Sequence, residues 1–297
     1  GSIGGTNSYS RTLDDNDSVT DATNTFVING AGDSCQITID VYDDDGTLTD
    51  NFGVDGLTTD IDNFLKITAP TGERHNGTAA TGARISISTS SISLNDSYIE
   101  ISWLVITSAI NSGSNFSAVI GSNTGCNESV VKNNIIFDCI NGGAGLMGEC
   151  IGSGTQTFTN FYVYNNIMYD SEGLGVTFGF GNAGVQVINN TIYNAFGGDG
   201  VGIGHANSTV TARNNASFGN SGDDYSASID TVQTNASEDL TGTTGLTSFV
   251  TADQFVSTTA DSENLHLITG ADLIDVGTDL TTTVNIMTAT PISTHGS

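Results

Sequence analysis

Short runs of alternating apolar and polar residues recur along the middle of the chain. Three of them read SVVKNNIIFD at 129–138, FYVYNNIMYD at 161–170 and VQVINNTIYN at 185–194. Strict alternation is typical of a β-strand that has one face buried. A pair of asparagines interrupts each run, so each run predicts two short strands joined at a bend.

The asparagine pairs mark an internal repeat. Their first members, Asn133, Asn165, Asn189 and Asn214, are separated by 32, 24 and 25 residues. A further copy, IEISWLVIT at 99–107, fits if Trp103-Leu104 take the asparagine positions. Aligned in this way, three columns are mainly apolar: Ile99, Ser129, Phe161, Val185 and Val210; Ile101, Val131, Val163, Val187 and Ala212; Ile106, Ile136, Met168, Ile192 and Ser217.

A glycine-rich segment with its own alternation follows each strand pair, for example GLMGECIG at 145–152 and GLGVTFGF at 173–180. A unit of about 25 residues with three short strands cannot bury an apolar face alone, but stacked units can. Each coil would pair in parallel with the next at about 4.8 Å. The repeat therefore predicts an all-β chain that forms a right-handed parallel β-helix solenoid.

The paired asparagines have an architectural role in this prediction. Asparagine tolerates the left-handed backbone conformation that a sharp bend between strands requires. Its side-chain amide can also bond to the asparagine one coil above and one below, which satisfies a buried polar group. We therefore expect a structural ladder formed by Asn134, Asn166, Asn190 and Asn215.

These repeats resemble the pectate-lyase-like β-helix superfamily over residues 98–230. The resemblance extends to ENLHLITGADLIDVGTDL at 263–280, which is similar to a segment that closes the last coil of such proteins, although Asp272-Leu273 stand where a Pro-small pair is common. SIGGTNSYS near the N-terminus and the stretch at 66–85 resemble β-helix proteins of phage and environmental origin. The resemblance implies a solenoid whose functional sites lie on the outer face of stacked strands.

The repeat divides the chain into three parts. Residues 1–80 lack it, and we expect an N-terminal cap and the first coils there, because an open solenoid end exposes strand edges. Residues 81–230 are the coils with the asparagine ladder. Residues 231–297 are expected to form a C-terminal closing region, in which the Thr/Ser-rich part at 231–262 makes long loops or a lateral strand pair before a closing coil.

Charge and cysteine content limit the partners. Six Lys and Arg face 33 Asp and Glu, a net charge of −27, which repels nucleic acid and anionic lipid. The sequence contains no run of 18 apolar residues, so insertion into a membrane is not expected. No cofactor is expected, although so acidic a surface can attract calcium. The four cysteines are either buried thiols or, in a secreted protein, include a bridge from Cys139 to Cys150 or Cys126.

Catalytic chemistry has weak support in the pattern. A lyase needs a basic residue, but Lys132 and Arg213 share a column three coils apart and no basic cluster results. Glycoside hydrolysis needs two carboxylates, and the candidates precede the glycine-rich segments. They are Glu172, Asp199 and Asp224, with His205 as an assisting group. A solvated acidic corner and a cation site are the alternatives for the same residues.

A column of aromatic residues follows the inward Ile/Met column and is therefore expected to point outward. It comprises Phe137, Tyr169, Tyr193 and Phe218, after Thr107 in the first copy. Stacked, exposed rings can bind sugars by apolar contact. The alternative is that a loop of the chain covers them.

Taken together, these features favour a non-enzymatic surface or assembly protein: a β-helix decoration protein, fibre or spike of a virion, or part of another extracellular appendage. Its partners would be other protein subunits of an oligomeric assembly and polysaccharide. A polysaccharide-degrading hydrolase resembling a tailspike, and a secreted carbohydrate-binding adhesin, are the alternatives. The solenoid alone does not decide among them.

Overall fold

A computed structural model describes most of the chain. The described residues are 7–13, 35–43, 46–49, 52–87, 91–110, 116–122, 125–141, 147–153, 157, 159–179, 181–197, 202–205, 208–243 and 246–280. Within them the chain forms short strands and two 3-10 turns, Thr71–Glu73 and Thr251–Asp253.

The strands belong to three parallel sheets and one hairpin. Sheet A contains β1 (Asn7–Leu13), β2 (Cys35–Val41), β4 (Asn63–Thr68), β7 (Ile99–Ser102), β10 (Val130–Lys132), β13 (Tyr162–Tyr164), β16 (Val185–Ile188), β19 (Val210–Arg213) and β21 (Thr231–Gln233). Sheet B contains β5 (Arg84–Ile87), β8 (Val105–Ile110), β11 (Ile135–Asn141), β14 (Ile167–Ser171), β17 (Thr191–Ala195), β20 (Ala216–Phe218) and β22 (Ala236–Ser237). Sheet C contains β3 (Gly53–Val54), β6 (Ile92–Leu94), β9 (Phe116–Ser122), β12 (Met147–Ser153), β15 (Val176–Phe178) and β18 (Ile203–His205). The antiparallel hairpin consists of β23 (Phe255–Ser257) and β24 (Asn264–Leu267).

From β4 to β18, each of five turns of the chain contributes one strand to sheet A, one to sheet B and one to sheet C. Within these sheets each strand pairs in parallel with its equivalent in the neighbouring coil, so that Val131 lies beside Val163 and Val163 beside Val187. This arrangement is a parallel β-helix, and it confirms the predicted all-β solenoid.

The core is the interior of the solenoid. The three predicted apolar columns point into it, and their hydrophobic members from Ile99 onward are almost completely buried. In one coil, Val163 of sheet A, Met168 of sheet B and Val176 of sheet C are all inaccessible to solvent. Burying a side chain of this size contributes about 1.5–3 kcal/mol, so stacking supplies what a single repeat lacks.

The asparagine pairs form the bend between sheets A and B. The first member of each pair has a left-handed backbone, with φ of 54° at Asn133 and 56° at Asn165, and Trp103 adopts it too, with φ of 64°. The second member is buried and builds a ladder from coil to coil. Oδ1 of Asn166 accepts from the backbone and side-chain amides of Asn134, at 3.0 and 3.1 Å.

The ladder continues one coil further than its sequence pattern indicated. Asn215 donates its backbone and side-chain N–H groups to Oδ1 of Asn235, at 2.8 and 2.9 Å. The residue before it, Thr234, has the left-handed φ of 56° that asparagine has elsewhere. The bend therefore requires a left-handed backbone at the first residue of the pair and a buried amide at the second. Threonine can occupy the first of these positions.

The C-terminal region differs from its expected layout. Residues 231–237, placed by the sequence in Thr/Ser-rich loops, form strands β21 and β22 of another coil. Residues 263–280 do not form the expected closing coil, since β24 pairs only with β23. The loop that follows β22 covers the end of the solenoid instead. In this loop the backbone N–H of Thr243 donates to the carbonyl of Asn235. The antiparallel β23–β24 hairpin lies only partly in the range 231–262, where a lateral strand pair was one option, because β24 begins at Asn264.

The N-terminal part contributes early coils. β1, β2 and β4 extend sheet A and β3 extends sheet C, each in parallel register with the next coil. Residues 14–34, where part of the cap was expected, lie outside the described residues.

A disulfide joins Cys139 in β11 to Cys150 in β12, with 5.3 Å between the Cα atoms. It links two sheets of the same coil, and both cysteines are fully buried in the core of the solenoid. Cys126 is a buried thiol. The sequence left the bridge open among alternatives, and the structure selects Cys139 with Cys150.

Candidate functional site

The outer face of sheet B carries the aromatic column. Its rings lie in register from coil to coil: Phe137 beside Tyr169, Tyr169 beside Tyr193, and Tyr193 beside Phe218. They point away from the core because the preceding residues, such as Met168, fill the interior and neighbouring strand residues face opposite sides. The Phe137 and Tyr169 rings stack, with centroids 5.1 Å apart and planes at 17°.

Most of this column is covered by the chain itself. We call residues 246–273 the C-terminal cover, because they pack across the outer face of sheet B. Phe218 is fully buried against Phe249 and Phe255, with ring centroids 6.5 and 5.5 Å away. Tyr193 is half-buried and donates its hydroxyl to the carbonyl of Thr258 at 3.4 Å. An exposed stack of four rings is therefore absent from the described surface, and the covering loop was the correct alternative for this end.

The cover leaves one end of the column open. Before Phe137 the equivalent positions in the two previous coils are Thr107 and Ser86, so the stack of rings stops there. The gap is a cleft of about 450 Å³ between the loop at 78–80 and the turn of the hairpin at 261–264. Its lining residues are Thr78, Ala79, Ala80, Arg84, Phe137, Asp138, Tyr169, Asp170, Asp261, Ser262, Glu263 and Asn264.

Four carboxyl groups converge on this cleft. Asp138 and Asp170 follow the stacked rings on neighbouring coils, and both have a left-handed backbone, with φ of 50° and 53°. Asp261 and Glu263 come from the turn of the hairpin. Asp170 is held in place by Asn194 of the next coil, whose Nδ2 donates to Oδ1 at 2.5 Å. Two separate elements thus present acids to one space.

Crowding and partial burial raise the pKa of two of these groups, Asp138 and Glu263. Desolvation, followed by repulsion from Asp170 and Asp261, raises the pKa of the Asp138 carboxyl. The pKa of Glu263 is also raised, first by desolvation and then by the charge of Asp170, to which its carboxyl is hydrogen-bonded. A hydrogen bond between two carboxyl groups requires a proton on one of them. The environment of the cleft therefore favours the protonated forms of Asp138 and Glu263 more than water does.

Arg84 is the one basic residue among those lining the cleft. Its guanidinium donates to the carbonyl of Ala79 and lies over the Phe137 ring, 5.9 Å from the centroid. These contacts fix the side chain on one wall.

The structure does not bring the predicted catalytic carboxylates together. Oε2 of Glu172 accepts from the backbone N–H of Asn141 at 2.6 Å. Tyr225 lies beside Ile203, and Ile203 beside Val176, so Asp224 aligns with Gly175 and stands three positions away from the Glu172 column. Asp199 lies outside the described residues. His205 is in β18 beside Phe178, and only its backbone is described.

Asp224 has a structural task. It is buried, and its carboxylate accepts from Asn220 and from the backbone N–H groups of Glu238 and Asp239. Burial raises its pKa to about 7 against the lowering effect of these bonds. It ties the last coils together and does not line the cleft.

Two of the four acids of the cleft could be recognised from the sequence. Asp138 and Asp170 end the repeats NNIIFD and NNIMYD at equivalent positions, so a stacked acidic column was visible. Asp261 and Glu263 stand more than 80 residues away in a region without repeat, and only the folded hairpin brings them to the cleft.

Among the described residues, no group of three or more His, Cys, Asp or Glu has a geometry suited to a metal ion. The possibility of calcium stays a prediction. A search of the same residues finds no helix long and apolar enough to cross a membrane.

Comparisons of this chain with protein families, curated proteins and solved structures found no match. The parallel β-helix is thus established by the fold, while kinship with the pectate-lyase-like superfamily remains a prediction from the sequence.

Proposed function

We propose that this protein is a non-enzymatic surface protein whose β-helix binds a glycan in the cleft beside Phe137. The observation that carries the proposal is the open end of the aromatic column, where Phe137 stacks on Tyr169 and lines a cleft rich in hydrogen-bonding groups. Aromatic rings pack against the C–H faces of sugars, and carboxylates and amides bond to their hydroxyl groups.

The size and lining of the cleft suit one or two sugar units. Its volume, about 450 Å³, lies in the range of small-molecule sites. Thr78, Ser262 and Asn264 add neutral hydroxyl and amide groups to the four acids. Such a mixed lining suits a polyhydroxylated ligand, since each sugar hydroxyl both donates and accepts.

The proposed location is the surface of a virion or another extracellular structure. The Cys139–Cys150 disulfide supports it, because such bonds persist mainly in oxidising compartments. In this setting the solenoid would act as a shaft that packs with other subunits of an oligomeric assembly. The large negative charge favours solubility and disfavours contact with nucleic acid or anionic membrane.

Binding to an array of immobilised glycans tests this function. The wild type should retain a defined set of glycans, and Phe137→Ala should lose them, because the ring forms part of the cleft. Phe196→Ala is the matched control: Phe196 is an exposed aromatic residue that does not line the cleft. Absence of any retained glycan, or equal retention by Phe137→Ala, would contradict the proposal.

Glycoside hydrolysis in the same cleft is the second candidate. It is favoured by the convergence of Asp138, Asp170, Asp261 and Glu263 on one cleft, where desolvation and neighbouring charges raise the pKa of Asp138 and Glu263, because a glycosidase needs one protonated and one ionised carboxyl. This candidate predicts that the wild type releases reducing ends from a bound polysaccharide and that Glu263→Gln abolishes the release. We expect no release from the wild type, and turnover that depends on Glu263 would replace binding by hydrolysis.

A further inference from the structure

We propose that the cleft selects glycans that carry a protonated amine, that is, amino sugars without an N-acetyl group. This inference rests on the proposed function, because it assigns the ligand class of the same site. It follows from the unequal number of charged groups around the Phe137–Tyr169 ring pair.

The lining of the cleft contains more acidic than basic residues, and no lining residue balances this excess. Asp138 and Asp170 line it from two neighbouring coils, and Asp261 and Glu263 line it from the hairpin. Arg84 is the single cation among the lining residues, and its guanidinium is engaged with the Ala79 carbonyl and the Phe137 ring. A ligand that brings a positive charge would therefore complete the site.

The chemistry of an ammonium group matches this surplus of acceptors. An ammonium group has three N–H donors and no acceptor, so it can bond to several carboxylates at once. A sugar carboxylate would be repelled by the same groups, and an N-acetyl group would offer one N–H without charge. The site thus distinguishes three forms of one glycan by charge alone.

The apolar part of the lining favours an amine on a ring over a bare inorganic cation. Ala79, Ala80 and the half-buried Phe137 line the cleft together with the acids. A hard cation gains nothing from these groups, since its ligands are oxygens. A sugar ring can pack on them while its amine reaches the carboxylates.

Proton release is a specific consequence. Without ligand, desolvation and the neighbouring acids raise the pKa of Asp138 and Glu263, which favours their protonated forms. Asp170, Asp261, Tyr169 and Arg84 are the other titratable groups of the lining. A bound ammonium group supplies the positive charge instead and stabilises the ionised carboxylates. Binding of the amine should therefore release protons, whereas binding of a neutral sugar should not.

Calorimetry with three oligosaccharides of equal length and linkage tests the inference. The probes are β-1,4-linked tetramers of glucosamine, N-acetylglucosamine and glucose, titrated at pH 6 in two buffers of different ionisation enthalpy. We expect the glucosamine tetramer to bind at least about tenfold more tightly than the other two. Its enthalpy alone should depend on the buffer, because only its binding releases protons.

Two variants separate the cleft from the general acidity of the chain. Glu263→Gln removes one charge from the cleft and should abolish most of the preference. Asp55→Asn removes the same charge from an exposed position beyond β3 in sheet C and should retain the preference. Circular dichroism checks that both variants are folded. If Glu263→Gln does not fold, Asp138→Asn, which also removes a carboxyl group from the cleft, takes its place.

The outcomes distinguish this inference from the function on which it rests. Equal affinity for the three tetramers overturns amine selectivity and leaves glycan binding intact. A preference lost equally in Asp55→Asn and Glu263→Gln also overturns it, because the cause is then the overall charge. If none of the tetramers binds, the selectivity is refuted, and the glycan array decides separately whether the cleft binds another sugar.

Discussion

Replacement of Asn166 by alanine tests the physical basis of the solenoid. Oδ1 of Asn166 accepts from the backbone and side-chain N–H groups of Asn134. Its Nδ2 donates to the carbonyl of Val131 at 2.9 Å and to Oδ1 of Asn190 at 3.0 Å. Alanine removes all four bonds from the middle of the ladder.

The loss in the free energy of unfolding depends on which buried groups are left without a hydrogen-bond partner. Oδ1 of Asn190 retains the backbone N–H of Asn166, and Nδ2 of Asn134 retains the carbonyl of Ile101. The buried backbone N–H of Asn134 loses its Oδ1 acceptor, and the Val131 carbonyl loses the Nδ2 donor. At about 1–3 kcal/mol for each unpaired group, we expect a loss of about 3 kcal/mol. A loss of this size is a large fraction of the roughly 5–15 kcal/mol that stabilises a typical protein.

Thermal and urea unfolding followed by circular dichroism measure this effect. The melting temperature should fall by about 6 °C or more. The matched control is the neighbouring Asn165→Gly, which keeps the left-handed backbone because glycine adopts positive φ without strain. An unchanged midpoint for Asn166→Ala, or an equal loss in both variants, would refute the ladder as a source of stability.

Three further predictions concern other parts of the molecule. Burial raises the pKa of Glu149 from 4.5 to about 8, so the folded state holds a proton that the unfolded state loses, and stability falls as pH rises between these values. Glu149→Gln should flatten this dependence in urea unfolding, whereas Glu73→Gln, at a partly exposed position, should not. Gly77→Ala should destabilise the hairpin, because φ is 95° there and the added methyl group meets the His266 ring; unchanged proteolysis of the hairpin would contradict this. Reduction of Cys139–Cys150 should lower stability by about 2–3 kcal/mol, and a double serine variant should be insensitive to reductant.

The fold was largely determined by local sequence patterns. Alternation with period two, as in FYVYNNIMYD, identified strands and their inward residues, because a half-buried strand forces this periodicity. The recurring asparagines located the bends, since a left-handed backbone next to a buried amide admits few residue types. Where the pattern changed, at Thr234-Asn235, the last rung was missed although its geometry is the same.

The candidate site depended on tertiary structure. The repeat placed Phe137, Tyr169 and Phe218 in one outward column, but whether a ring there is open or buried depends on a segment distant in sequence. No local periodicity encodes the path of the C-terminal cover, because it adds no strand to the three sheets of the solenoid and packs on sheet B largely through side chains. For the same reason the meeting of Glu263 with Asp170 could not be predicted: short-range patterns determine which face a residue occupies, whereas contacts between distant segments arise only when the chain packs.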